Sequence, residues 1–158
     1  MVSRPQDQVI DANGLTFHYR EWGDSRTKQA LILLHDFAET SAAWEDAALD
    51  LSREYRVIAP DQRGYGRSAR AADRDYTRAS QVEDLAAIIE GLNLRSVILV
   101  GHGMGGANAL CYAAEHPDVV TALVVIEVAP EVLRSGIETV RRVITSGDEF
   151  ASLDDVVD

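Results

Sequence analysis

The sequence predicts an α/β fold with a mostly parallel, doubly wound sheet that begins with an antiparallel hairpin. Three observations support this prediction. Strand-like and helix-like segments alternate along the chain, which favours parallel strands joined by helices on both faces of a sheet. Several short strand segments are apolar at every position, as is typical of strands covered on both sides. The first two strands flank a strong turn signal, Asn13-Gly14.

The elements can be justified in chain order. Alternating residues on either side of Asn13-Gly14 predict a hairpin, and the polar loop after the next strand leads into a helix. Apolar residues spaced as in a helix follow Thr77, whose side chain suits an N-cap. In order, the predicted elements are two strands within 9–23, a strand at 30–34, a helix over 42–51, a strand at 55–60, a helix over 77–92, a strand at 96–100, a helix ending before Pro117, and a strand at 122–127.

The pattern changes after residue 130. Apolar residues at helical spacing predict a helix, and a second helix begins at Ser152 and stops after about one turn. We therefore expect a core over 1–130 and the start of a helical cap over 131–158, in a truncated chain. Strand 122–127 would then be an apolar edge, open to self-association or to a missing C-terminal segment.

Composition narrows the class of protein. The 158 residues suffice for one hydrophobic core, and the 46% hydrophobic and 26% charged residues are typical of a globular protein. The net charge of −11 argues against nucleic acid and anionic membranes as partners. A lone cysteine, the lack of an apolar signal-peptide core and the lack of a bilayer-spanning run predict a cytoplasmic protein.

The stretch SVILVGHGMGGANAL, residues 96–110, fits two glycine motifs. Gly101, Gly103 and Gly106 satisfy the dinucleotide fingerprint G-x-G-x-x-G, and Glu127 ends the next strand, where a ribose-binding acid belongs. The alternative is the nucleophile elbow G-x-S-x-G, with Gly103 in place of the serine. A dinucleotide fold carries its fingerprint on the first strand, whereas at least four strands precede this one. The dinucleotide-binding domain is therefore the weaker interpretation.

The surrounding segments resemble the α/β-hydrolase superfamily, in its capped, serine-hydrolase-like branch. LLHDFAET (33–40) resembles the family's His-Gly-Phe loop, and APDQRGYGRS (59–68) resembles its Asp-x-Arg-Gly-x-Gly-x-Ser segment. VGHGMGGANAL (100–110) resembles its elbow, usually Gly-His-Ser-Met-Gly-Gly, and residues 113–130 resemble the helix and strand that lead into the cap. Because the four segments occur in the family's order, the resemblance is more specific than the glycines alone.

The resemblance implies roles for three residues. Gly103 stands at the nucleophile position, and the backbone N–H groups of Met104 and Phe37 would form the oxyanion hole. The Met104 side chain is expected to face the core. Glycine offers no nucleophile, so no acyl-enzyme can form at Gly103. Gly103 is either an engineered replacement or a natural loss, and the sequence leaves both open.

The partners of the nucleophile also depart from the family. The only histidine after the elbow, His116, lies at the far end of the following helix, about 20 Å away at 1.5 Å per residue. Glu127 is the candidate acid, or else it hydrogen-bonds the loop at the end of its strand. Asp36 replaces the glycine of His-Gly-Phe, where a carboxylate would oppose developing negative charge, act in proton transfer, or point to solvent.

The remaining candidates are interpreted mainly as structural. We expect His35 to brace the oxyanion loop, His102 to pack beneath the elbow and His18 to lie on the surface. The loop from Arg63 to Arg67 is expected to be a structural turn; the alternative is that Tyr65 in this loop touches a ligand.

Two functions follow from the resemblance. The first is a hydrolase acting on an ester, lactone or C–C bond of a small apolar, ester-like substrate, without a cofactor or metal. The second is a pseudoenzyme that binds a small molecule without catalysis. The identity of the substrate is not predicted, because the cap selects substrates in this family.

Overall fold

The computed structural model describes residues 4–23 and 28–128. Within these residues the chain forms six β-strands and three α-helices, which confirms the predicted α/β class. The elements are β1 Gln6–Ala12, β2 Leu15–Trp22, β3 Ala30–Leu34, a 3₁₀ turn Ser41–Trp44, α1 Glu45–Leu51, β4 Arg56–Pro60, α2 Arg78–Gly91, β5 Val97–His102, α3 Gly103–Glu115 and β6 Val120–Ile126.

The strands form one mixed sheet in the order β1-β2-β4-β3-β5-β6. The pairs β1–β2 and β2–β4 are antiparallel, whereas β4, β3, β5 and β6 run parallel to one another. The predicted hairpin is confirmed, since Asn13 and Gly14 have φ values of 46° and 74°. Two successive positive φ values are what a tight turn between antiparallel strands requires.

Helices cover both faces of the sheet, as predicted. On one face α2 and α3 pack against β3, β4 and β5; the buried residues there include Ile32, Leu34, Ile58, Leu85, Leu99, Ala109 and Tyr112. On the other face α1 and the 3₁₀ turn cover Trp22, Leu31, Leu33, Val57 and Ala59. The side chains of β3 are buried at all five positions, which explains why ALILL has no polar residue.

The N-terminus of α2 confirms the predicted cap, because the Thr77 hydroxyl accepts a hydrogen bond from the Ser80 N–H at 3.4 Å. The prediction that β5 is buried on both faces is wrong in part. Its residues alternate between buried and half-buried, with Ile98 and Val100 half-buried on the α1 face. Among the described residues α1 covers the sheet mainly around Trp22 and β4, and it leaves this side of β5 partly open.

At the edge of the sheet, β6 exposes Val124, Val125 and Ile126 to solvent by 48%, 38% and 38%. In the described part of the chain β6 pairs only with β5, as the sequence predicted for strand 122–127. The predicted cap over 131–158 lies outside the described residues. Across residues 4–23 and 28–128, no helix has the length and apolar character needed to cross a membrane.

Candidate active site

The parallel strands bring three loops to one edge of the sheet. Because β3, β4 and β5 run in the same direction, their carboxyl ends lie together, and the chain leaves them at His35, Asp61 and Gly103. In open α/β sheets this edge is where ligands bind. The segments that the sequence singled out therefore meet at a single place.

The turn from β5 into α3 is a sharp elbow. Gly103 begins the helix with a φ of +50°, a conformation that strains residues with a Cβ. A Cβ at Gly105 would collide with the carbonyl oxygens of Leu34 and His35, and one at Gly101 would collide with the Gly105 backbone. Glycine at 101 and 105 is thus imposed by close backbone packing, as an elbow requires.

The situation at Gly103 is different, because its neighbour is a side chain. A Cβ there would overlap the carboxylate of Asp36, the far end of a side chain that can move. Asp36 Oδ1 accepts a hydrogen bond from the Met104 N–H at 2.6 Å. The expectation that Asp36 points to solvent is therefore wrong: its half-buried carboxylate points into the elbow and binds the amide expected to serve the oxyanion hole.

Two further expectations concern the wall of the site. Phe37 is 49% exposed, and its ring meets that of Tyr65 edge-on, with centroids 6.2 Å apart. The Met104 side chain does not enter the core; it is half-buried, and the Tyr65 hydroxyl lies 3.8 Å from its sulfur. The expectation for Met104 is wrong because the elbow turns this side chain toward the loop after β4. Tyr65 therefore contacts both Phe37 and Met104 at the wall of the site.

The loop carrying Asp36 is held on both sides. His35 is completely buried; its Nδ1 donates to the Asp36 carbonyl at 2.7 Å, and its Nε2 accepts the Gln62 N–H at 3.0 Å. Burial lowers the pKa of His35 below its ordinary value, which favours the neutral ring that this pattern needs. The Asp36 N–H donates to Glu39 Oε2 at 3.0 Å. The backbone around Asp36 is therefore fixed.

Asp61 ties the same loops to the start of the sheet. Its carboxylate accepts the N–H groups of Ser41 at 2.7 Å and Arg67 at 2.9 Å and contacts His18 Nδ1 at 2.8 Å. Burial raises the pKa of Asp61, but these hydrogen bonds together outweigh it and leave the pKa below its ordinary value.

His18 is 5% exposed, so the expected surface position is wrong. The β2–β4 register aligns Tyr19 with Pro60, and it thereby places His18 beside Asp61. The Nε2 of His18 also lies 2.9 Å from a carboxylate oxygen of Asp7 on β1.

His102 is also placed differently from its expectation. Its side chain is 26% exposed, with Nε2 3.1 Å from Glu127 Oε2 and Nδ1 3.6 Å from Glu39 Oε2. The hydrogen bond to Glu127 raises the pKa of His102, and the charges of Asp36 and Glu39 add to this effect against partial burial. Sequence reasoning missed the pair, although Glu127 and His102 both stand at the ends of adjacent strands.

Glu127 has a φ of +52° and a side chain that is 80% exposed. The candidate acid thus pairs with a histidine that precedes the elbow. His116 instead caps the far end of α3, where its ring stacks on Tyr112.

Arg63 has the structural role that was expected for its loop. It fulfils this role by forming an ion pair that the sequence did not reveal. The guanidinium is buried and binds the Asp84 carboxylate through Nε at 2.5 Å and one terminal nitrogen at 2.6 Å. It also donates to the carbonyls of Asp75 and Ser80. This pair anchors the loop after β4 to α2.

The sequence is similar to a known protein family and to individual curated proteins. The profile of the family described as "alpha/beta hydrolase fold" matches residues 29–146. Epoxide hydrolase 3 of Xenopus tropicalis is 38% identical over 115 residues, which are 72% of this chain and 31% of that protein. An epoxide hydrolase of Caballeronia sordidicola is 36% identical over 145 residues, which are 89% of this chain and 43% of that protein.

A solved structure extends the similarity to three dimensions. An alpha/beta hydrolase from Novosphingobium aromaticivorans superimposes with a TM-score of 0.81 at 26% identity, covering 89% of this chain and 50% of that one. The chain spans less than half the length of the two curated relatives. Among residues 4–23 and 28–128, no three histidine, cysteine or acidic side chains converge as a metal site.

Proposed function

Because the chain belongs to the α/β-hydrolase family, we propose that it supplies the elbow half of a site that hydrolyses a small organic substrate. One observation carries the proposal: the Met104 N–H, at the start of α3, binds a carboxylate oxygen beside Gly103. A backbone donor at a helix N-terminus favours an oxygen carrying negative charge, and hydrolysis generates such an oxygen.

The proposed substrate is a small molecule with an apolar portion. The Tyr65 hydroxyl approaches Met104 at the elbow, and the Phe37 ring, which is 49% exposed, packs edge-on against Tyr65. Esters, lactones and activated C–C bonds fit a site in which a backbone N–H at a helix N-terminus stabilises developing negative charge. The relatives named as epoxide hydrolases add strained cyclic ethers to these classes. All four substrates share a carbon that a nucleophile can attack.

A serine-type mechanism has no nucleophile here. Gly103 lacks a hydroxyl, and Asp36 occupies the space that a side chain at 103 would need. The nearest histidine to the elbow is His102, which pairs with Glu127 and Glu39. Acyl transfer to residue 103 is therefore excluded from the proposed function, and the nucleophile must come from elsewhere.

Binding without catalysis is the second candidate function. Two observations favour it. The Asp36 carboxylate already fills the space beside Gly103, and it already accepts the hydrogen bond of the Met104 N–H. In this case the site would hold a small molecule against the rings of Phe37 and Tyr65 without transforming it.

The experiment that separates these functions combines product formation with mapping of amide resonances. The chain is mixed with styrene oxide or p-nitrophenyl acetate, and its amide spectrum and the products are followed. Hydrolysis with shifts at residues 36, 37 and 101–106 supports the hydrolase, while the hairpin amides of Asn13 and Gly14 serve as an unperturbed reference. Shifts without product support the binding function, and the absence of both overturns the proposed site.

A further inference from the structure

Asp36 and Gly103 are two departures from the family pattern that meet in one place. We infer that Asp36 is the nucleophile of this site, supplied by the loop after β3 in place of a side chain on the elbow. This inference rests on the proposed hydrolase function. Its starting point is geometric: the Asp36 carboxylate fills the space that a Cβ at position 103 would need.

The two carboxylate oxygens have different surroundings. Oδ1 accepts the Met104 N–H at 2.6 Å, whereas Oδ2 makes no hydrogen bond with any residue in the described part of the chain. The partial positive charge at the N-terminus of α3 stabilises the anion at this position. One oxygen is therefore anchored to the helix, and the other is available to attack a substrate.

The Asp36 backbone holds this orientation. The carbonyl of Asp36 accepts from the buried His35 ring at 2.7 Å, and its N–H donates to Glu39 at 3.0 Å. His35 is itself held by the Gln62 N–H at 3.0 Å. A reactive group fixed by its neighbours before the substrate binds needs little reorganisation to reach the attacking geometry.

The occupied amide also selects the class of substrate. An ester would place its carbonyl oxygen on the oxyanion donors in the first step, but one of these, the Met104 N–H, already binds Asp36. An epoxide develops its negative charge on the ring oxygen as the ring opens, and that oxygen does not need this donor. The geometry therefore favours attack on a saturated carbon of a strained cyclic ether.

The proposed reaction proceeds in two steps. Asp36 Oδ2 forms a bond to a ring carbon, the ring C–O bond breaks, and the ring oxygen takes a proton from water, which leaves hydroxide. Hydroxide adds to Cγ of the resulting ester, and the bond between Cγ and Oδ2 breaks. The departing alkoxide takes the proton of the hydroxyl group that was added to Cγ, so the diol leaves with the original Oδ2 and the carboxylate is restored with an oxygen from water. In the second step the negative charge on Oδ1 faces the Met104 N–H.

The test uses the full chain, styrene oxide and water enriched in the heavy isotope of oxygen. Intact mass and peptide mapping follow the protein during turnover. We expect either an adduct of one styrene oxide on Asp36 or incorporation of heavy oxygen into the Asp36 carboxylate. The variant Asp36→Asn should lose both signals. The control Asp50→Asn, which changes an exposed carboxylate on α1, should keep them.

The outcomes separate the inference from the function on which it rests. Diol formation with heavy oxygen only in the product, or an adduct on another residue, overturns the role of Asp36 and leaves the hydrolase function standing. If neither diol nor amide shifts at residues 101–106 are seen, the proposed function itself fails. The signals in the unmodified chain are decisive on their own, so the inference stays testable even if Asp36→Asn folds poorly.

Discussion

The carboxylate of Asp36 occupies the space that a side chain on Gly103 would require. The two residues lie 67 positions apart in the chain, at the carboxyl ends of the adjacent parallel strands β3 and β5. An aspartate in the loop after β3 and a glycine at the elbow are thus compatible with each other, whereas an aspartate there and a larger elbow residue compete for one position. The effects of substitutions at the two positions should therefore depend on each other, and this coupling free energy can be measured.

We predict that Gly103→Ser and Asp36→Gly are not additive. Gly103→Ser alone should lower the free energy of unfolding, because serine is strained at a φ of +50° and its Cβ overlaps the Asp36 carboxylate. In the Asp36→Gly background the overlap is gone, and the same substitution should cost less by about 1 kcal/mol. Urea denaturation of the four proteins measures this coupling, and equal costs in both backgrounds would contradict the shared space.

A second prediction concerns the close packing of the elbow on β3. Gly105→Ala should lower the free energy of unfolding by about 1–3 kcal/mol, the usual range for overpacking, since the new methyl group meets the backbone carbonyls of Leu34 and His35. Gly91→Ala in α2 is the matched control, because its methyl group meets only the tip of the Ile10 side chain and alanine favours a helix. Thermal unfolding should place the Gly105→Ala midpoint well below that of the control.

The buried Arg63–Asp84 pair should dominate the stability of the loop after β4. Asp84→Ala leaves the guanidinium buried without its carboxylate and should lower the free energy of unfolding by about 3–5 kcal/mol. Asp50→Ala removes a carboxylate that is 80% exposed and should change it by less than about 0.5 kcal/mol. Comparable losses in the two variants, measured by urea denaturation, would show that the buried pair contributes little.

His102 should titrate above its ordinary pKa of 6.5, because Glu127 accepts a hydrogen bond from the protonated ring. The resulting stabilisation is complete below pH 6.5 and is lost as the pH rises through the raised pKa of the folded chain. The ring resonances of His102 followed by NMR measure this pKa, and Glu127→Gln should lower it. An unchanged pKa in Glu127→Gln would assign the shift to the other nearby carboxylates.

Much of the fold could be predicted because its signals are local. The continuous apolar run at β3, the Asn13-Gly14 turn and the Thr77 cap each depend on a few neighbouring residues. The glycines at 101 and 105 were predicted as elbow residues for a steric reason that the structure reproduces. The partial exposure of β5 was missed, since it depends on how far α1 extends over the sheet.

The sequence by itself determined the order of the strands and helices, the place of the elbow and the lack of a hydroxyl on it. Hydrophobic periodicity and turn residues act over short stretches of chain, and they can be read there. Only the tertiary structure decided where the polar side chains point. Asp36 reaches Met104, His18 reaches Asp61 and His102 reaches Glu127 across gaps of 68, 43 and 25 residues. Such contacts depend on strand register and loop path, which arise only when the sheet assembles.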